Sequence, residues 1–443
     1  MVKPKIALVA MASQFESGGE RAEEILKGAV KHLEESGLEV NAYGKTVWDP
    51  SDAFKAVDYF LKNQPDLLVM IHVTWVLDSL QYIFINNIKC PVVLWGVPYA
   101  ETFSIGCVQH FGSILWEHGY QYKYVYGLPQ DATLIDKVSR YADSAKVFNN
   151  LGKTKIALIG PRQTWRVAGS QDMTSEEWEF SKKFGTTIIH IEMDEILERA
   201  KKQENSVAEQ TLSKLKKQQR IGRTITDKEN LLYAAKIYLA IKEIFKHYTL
   251  DAAAAECYPK FSGLMNLPSS WLADEGLVLD TEGDTGHTVL MTILNQLKPG
   301  PTALAEIGSM AGNIIYLAHE GSSAHSLTED ISRVQISASG ELGCFVGTPF
   351  KTMPEVTMVN LCGRENTYRM LVAKVSTEPV THQEWVDGGS KFFAKVNLGG
   401  DVIDKFNKML NEGIDHHLLL KEGDLVEQLV DLCVLLIIRK IRI

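Results

Sequence analysis

The chain has 443 residues, of which 45% are hydrophobic and 23% charged, and a formal net charge of −9. That length exceeds one ordinary core, so two or three domains are expected, and the mix is that of a soluble globular protein. The acidic balance argues against a nucleic-acid partner, because phosphate backbones demand a basic face, and no stretch reaches the roughly 20 apolar residues of a membrane span.

The first part alternates strand-like and helix-like segments. Lys5–Met11 is an apolar run typical of a buried parallel strand, and it starts without the basic region and cleavage site of a signal peptide. Arg21–Glu34 follows with Ile25, Ala29 and Leu33 at helical spacing. Val40–Tyr43 reads as a strand and Asp52–Asn63 as a helix, and Asp66–Val73, Pro91–Trp95 and Tyr122–Tyr126 complete the strand candidates. Such alternation predicts a parallel, doubly wound sheet over residues 1–150. A second unit, residues 151–329, opens on KTKIALIGP, which repeats the logic of KPKIALVAM. Thr186–Ile191 and Asp251–Cys257 supply strands, Asp194–Arg223 reads as a solvated helix and loop, and Asp227–His247 as a long helix. From about Asp330 to residue 443, short alternating runs separated by Gly, Pro and Asn predict an antiparallel barrel or sandwich without intervening helices. The C-terminal LVDLCVLLIIRKIRI suits a buried or interfacial segment.

The six cysteines (Cys90, Cys107, Cys257, Cys344, Cys362, Cys433) are scattered without a CxxC pair. That spacing excludes a structural zinc or disulfide framework and leads us to expect reduced thiols in a cytoplasmic protein.

Chemistry concentrates between Asp251 and His319. Glu282 follows the apolar run Gly276–Leu279 and precedes a helix-like segment, Thr288–Leu297; Glu306 follows the apolar run Thr302–Ala305. In open α/β sheets ligands bind at the carboxyl ends of strands. Two carboxylates there, with His319 downstream, suggest a hard cation held by oxygen and imidazole. An EF-hand reading of DTEGDTG fails, because Thr285 and Met291 stand where Gly and Glu are needed. Each residue also has a plainer role: a cap for Asp280 or Asp284, a helix-start residue for Glu306, a structural histidine for His319. Glu256, at the end of its strand, is an alternative ligand. His416 and His417, if extended, point to opposite sides, so that only one faces a given metal.

AECYPKFSG, DEGLVLDTEGDTGHTVLM, ALAEIGSM, LAHEG, VGTPFKTMPEVTMVNLCGR and HHLLLKEGD together resemble the L-fucose isomerase and L-arabinose isomerase superfamily, especially the L-fucose isomerase-related branch. HVTWVLDS, PVVLWGVP and GKTKIALIGPR extend the likeness over most of the chain. The resemblance implies two Rossmann-like α/β domains followed by a β-barrel domain, and a divalent cation, commonly manganese, with magnesium or cobalt as substitutes. By resemblance Glu282 is the first acidic ligand and Glu306 the second. His417 or His416 completes the site, with His417 favoured, and His319 looks like the additional histidine of the arabinose branch. Trp75 resembles a tryptophan that packs on sugar bound in a neighbouring subunit, which implies a homo-oligomer, a trimer or hexamer with sites between subunits. Glu256, Asp284 and Trp385 complete the candidate sugar contacts.

Three departures matter. Fucose isomerases carry aspartate where Glu306 stands, the region after it reads SMAGN, and Glu320-Gly321 replaces a Cys-Gly. The departures alter the sugar contacts and leave the metal site preserved, and the activity that the resemblance and the residue types imply is aldose–ketose isomerisation of a small sugar such as a pentose or 6-deoxyhexose through a cis-enediol, with Glu282 and Glu306 as acid–base groups. The alternatives are an epimerase or isomerase of an acidic or sulfonated sugar, with Arg166 or Arg364 nearby, and a non-catalytic sugar-binding protein.

Overall fold

The computed structural model describes residues 3–160, 177–255, 261–319, 323–341 and 343–443. The chain divides into two compact units, Met1–Asn150 with Glu427–Ile437, and Leu151–Val426 with Ile438–Ile443.

The first unit is a parallel five-stranded sheet built from β1 (Lys5–Met11), β2 (Glu39–Ala42), β3 (Leu67–His72), β4 (Val92–Gly96) and β5 (Tyr122–Tyr126), in the order β2-β1-β3-β4-β5. Alternate residues of β1 face opposite sides. Ile6, Leu8 and Ala10 join one core while Ala7, Val9 and Met11 join the other. Helices cover both faces, which is why this strand reads as an unbroken apolar run rather than an alternating one. The C-terminal helix Val426–Leu436 belongs largely to this unit, where Asp431 Oδ2 accepts from Lys123 Nζ at 2.5 Å. Its buried residues include Leu429, Leu432 and Leu436.

The second unit begins with a parallel four-stranded sheet of β6 (Lys155–Ile159), β7 (Thr187–Ile191), β9 (Ala252–Ala255) and β10 (Val278–Asp280), in the order β10-β9-β6-β7. A small sheet joins β8 (Arg223–Thr224) to β13 (Gln335–Ser339) and β14 (Gly343–Gly347). The remaining strands are β11 (Ala303–Ala311), β12 (Ile314–His319), β15 (Val356–Cys362), β16 (Arg369–Glu378), β17 (Phe392–Asn397), β18 (Leu418–Glu422) and β19 (Arg439–Arg442). They form a mixed sheet in the order β15-β18-β11-β12-β17-β16-β19, and β15 pairs in addition with β16. Among the described residues, β16–β19 is the one parallel pair of strands in this sheet.

Four expectations need correction. Asp194–Arg223 holds two helices, Met193–Lys202 and Asn205–Lys217, rather than one helix and a loop. β11 does not stop before Glu306: the glutamate is inside a nine-residue strand held by β12 and β18. β11 and β12, which precede Asp330, are hydrogen-bonded into the C-terminal mixed sheet. That region also contains helices, His382–Asp387, Val402–Asn411 and Val426–Leu436, where none was expected. The reason is common to all four. Period-based reading weighs local pattern alone, whereas strand length and sheet membership are set by partners far along the chain.

The five described cysteines are free thiols, and no helix among the described residues is long and apolar enough to cross a membrane.

Candidate metal centre

The turn after β10 reads Asp280-Thr281-Glu282-Gly283-Asp284. Asp280 closes it: Oδ2 accepts from the backbone N–H of Glu282 (2.9 Å) and of Asp284 (2.8 Å). Gly283 sits at φ 74°, a left-handed conformation that only glycine adopts without strain. Asp284 then caps the helix Thr285–Leu297, its Oδ1 accepting from the His287 backbone N–H at 2.9 Å. The strand end thus delivers Glu282, and the helix start fixes Asp284 two residues later.

The mixed sheet delivers the other groups through its register. Glu306 of β11 pairs with Ala318 of β12, so His319 is the next residue along. Ala305 pairs with Leu418 of β18, which places His417 beside Glu306. Glu282 Oε1 lies 3.2 Å from His319 Nε2, and Oε2 lies 3.6 Å from His417 Nε2. Glu306 Oε1 is 3.7 Å from His417 Nε2. One ligand atom from each of Glu282, Glu306, His319 and His417 lies within 4.8 Å of the others. Both histidines are buried, the Glu282 side chain is 21% exposed and that of Glu306 44%, so the cluster opens on the Glu306 side.

Electrostatics tie the cluster together. Burial works to raise Glu282, but His319 and His417 outweigh it and hold the carboxyl well below the usual range. Asp284 is likewise held low, against its own burial, by His287 and His417. Glu306 is lowered first by His417. His417 is raised well above the ordinary histidine value, because Asp284, Glu282 and Glu306 together overcome its burial. Asp280 goes the other way, pushed up to about 7 by burial and by the neighbouring Asp284 charge.

The residues fit a divalent cation. His417 Nε2 is buried and makes no hydrogen bond among the described residues, while two carboxylate oxygens stand at 3.6 and 3.7 Å from it. Ligand bonds of about 2.0–2.2 Å place two ligands of one ion roughly 3–4 Å apart. Two carboxylates with two imidazoles form a donor set that suits manganese and related ions. The other ring nitrogen of His417 is spoken for: Nδ1 is 2.8 Å from Asp284 Oδ2, the carboxylate partner that orients a ligating histidine.

Several candidates take other places. His416 is not on the opposite side from His417, because the chain bends there instead of extending. The two rings are 4.2 Å apart, and His416 Nε2 lies 3.5 Å from Glu306 Oε1 at the half-exposed rim. Asp284 is fully buried as cap and histidine partner, so it has no surface with which to touch sugar. Trp385 is 4% exposed, packs with Val380 and Phe393, and donates its indole N–H to Lys391 O at 2.8 Å. It is a core residue and not a sugar contact. Trp75 lies in the first unit, half-buried, stacked on His110 with ring centroids 5.5 Å apart. Arg364 serves the turn between β15 and β16, where its backbone N–H donates to Thr367 Oγ1 at 3.1 Å. Glu256 and Arg166 lie outside the described residues.

Sequence reasoning missed His287, Asn360 and Asp415. His287 Nδ1 is 2.6 Å from Asp284 Oδ2, and the Asn360 amide reaches His287, Asp415 and the His417 carbonyl. The spacing of Asp284 and His287, one helical turn apart behind a cap, was the available signal.

No family model matches the chain. Two relatives named sulfoquinovose isomerase, from Priestia aryabhattai and Priestia megaterium, are each 23% identical over 392 residues, covering 85% of both chains. A third of the same name, from Clostridium sp. (strain MSTE9), is 23% identical over 331 residues, covering 70% of this chain and 72% of its own. A solved ABC-transporter solute-binding protein from Burkholderia multivorans overlaps 67% of this chain and 93% of its own at 14% identity, but with a TM-score of 0.20 it carries no argument.

Proposed function

We propose that this chain is a sugar isomerase that interconverts aldose and ketose with a divalent cation, through a cis-enediol. The observation that carries the reading is the convergence of Glu282, Glu306, His319 and His417 from two separate sheets. The three relatives named as isomerases of one sugar support the reaction class.

Glu282, Glu306, His319 and His417 would hold the cation, with manganese first and magnesium or cobalt as substitutes. When bound, it would supply Lewis acidity that stabilises negative charge developing on the sugar oxygens. The chain's own residues do the rest. One glutamate removes the proton from C2 and returns it at C1, and the other manages the hydroxyl proton. Such acid–base steps contribute factors of about 10²–10⁴ each. Asp284 keeps His417 turned so that Nε2 faces the two glutamates.

For the substrate, a pentose or 6-deoxyhexose remains the first reading. A sulfonated or otherwise acidic sugar is the second, favoured by the relatives' name. We also take the strands β15-β18-β11-β12-β17-β16 as a closed barrel with β19 added outside the ring, supported by the β15–β16 pairing, and the protein as a homo-oligomer in which Trp75 of one subunit packs on sugar bound by another.

The test is NMR-monitored aldose–ketose exchange with manganese, over pentoses, hexoses, 6-deoxyhexoses and a 6-sulfonated hexose. Turnover should vanish in EDTA and return with manganese. Glu282→Gln and Glu306→Gln should abolish it with circular dichroism unchanged. Turnover that persists in EDTA, or in either variant, defeats the proposal, and binding without turnover points to a sugar-binding protein.

A further inference from the structure

One fully buried amide has no part in the chemistry just described. Asn360 lies within β15, with β18 on one side and β16 on the other, and is 0% exposed. The two hydrogens of its Nδ2 are shared among three acceptors, Asp415 Oδ1, His417 O at 2.6 Å and His287 Nε2 at 3.1 Å. A carboxylate and a backbone carbonyl accept and cannot donate, so the nitrogen end of the amide faces them. Donation to His287 Nε2 leaves the ring hydrogen on Nδ1, where it meets Asp284 Oδ2 at 2.6 Å. The same oxygen of Asp284 accepts from His417 Nδ1 at 2.8 Å. Asp415 Oδ1, besides taking the amide, accepts from the His417 backbone N–H at 3.2 Å.

These bonds form a loop that begins and ends on one residue. From His417 Nδ1 it passes through Asp284, His287 and Asn360 and returns to the His417 carbonyl. Rotating the His417 ring breaks the loop at Asp284, and shifting its backbone breaks it at Asn360. We propose that Asn360 is a positioning residue for the cation site, gripping His417 directly through its carbonyl and indirectly through His287 and Asp284. The inference rests on the cation-site reading above. Because Asn360 is 0% exposed, no water replaces its donors when they are removed, and His417 loses its anchor.

Manganese affinity, read from the electron paramagnetic resonance signal of free ion, tests this on the full chain. Asn360→Leu should bind manganese about 10–100-fold more weakly than the unmodified protein. Because the residue positions a ligand and does not touch sugar, the manganese needed for half-maximal turnover should rise by a similar factor, with kcat at saturating manganese changed far less. Adding His287→Leu to Asn360→Leu should cost less than the product of the two single effects, since both cut one loop. Unmodified affinity in a folded Asn360→Leu protein overturns the inference. Should that variant not fold, His287→Leu against His287→Gln decides: glutamine keeps a donor for Asp284 and an acceptor for Asn360, so it should bind manganese more tightly, and equal affinities overturn the inference. If the unmodified protein binds no better than Glu282→Gln, the cation-site reading falls and takes this one with it.

Discussion

Asp284 shows how much a single side chain carries here. Oδ1 caps a helix while Oδ2 takes two imidazoles, all without exposure to water. Asparagine caps helices about as well as aspartate, so Asp284→Asn should keep the helix start and lose the charge. Hydrogen bonds to charged groups are worth about 1.5–3 kcal/mol, and a loss of about 2 kcal/mol in urea unfolding is expected. The pH dependence has a definite sign. Asp284 is held below its unfolded pKa, so its contribution is present above the ordinary carboxylate range and disappears as pH falls through and below it. The stability gap between the unmodified protein and Asp284→Asn should therefore close on acidification; a gap that widens would contradict the assignment. Lys421 gives the opposite edge. It is buried in β18, its Nζ donates to Gly300 O, and burial lowers its pKa from 10.5 to about 8. Between those values the unfolded chain binds the proton and the folded one does not, so stability rises with pH there and not below. Relative to Lys421→Met, the unmodified protein should gain up to about 3 kcal/mol over that window, read as the difference in urea midpoints at the two ends. At this scale the sequence was legible for Glu282 and Glu306, which stand out as acids beside apolar runs. It was silent on Asn360, whose importance comes entirely from partners 55 to 73 residues away.

The elements convert these residues into a site. β11 matters most, because one strand sets Glu306 against both His319 and His417 through its two neighbours. Its apolar pattern fades after Glu306 into Gly308 and Ser309, where the pairing with β12 also shifts register. No local period marks those residues as strand, and cross-strand pairing decides the matter. The turn joining β15 to β16 is a second control point. Gly363 sits at φ 113°, and a Cβ there would come within 2.4 Å of Thr367 O. Gly363→Ala should destabilise the fold by about 1–3 kcal/mol, visible in thermal or urea unfolding, and should loosen manganese binding, since β15 carries Asn360. Unchanged stability would show that the turn has another way to form.

At the scale of the whole molecule, all four candidate ligands belong to the second unit. Manganese at about a hundred times its Kd should add about 2.7 kcal/mol to stability. Hydrogen exchange should slow around Asp280–His287, Glu306, His319 and Asp415–Leu418, and Glu282→Gln should erase that slowing. Protection confined to residues of the first unit would refute the site.

The sequence by itself determined the parallel α/β half of the protein, because strands buried on both faces leave unbroken apolar runs such as Lys5–Met11 that need no partner to be recognised. It also determined which acids and imidazoles were available. Only the tertiary structure decided that His417 rather than His416 turns inward, that Trp385 is core, and that Asp284, His287 and Asn360 close a loop around the histidine. Those outcomes depend on register between strands more than a hundred residues apart. Hydrogen-bonded pairing fixes such a register, and no local pattern records it.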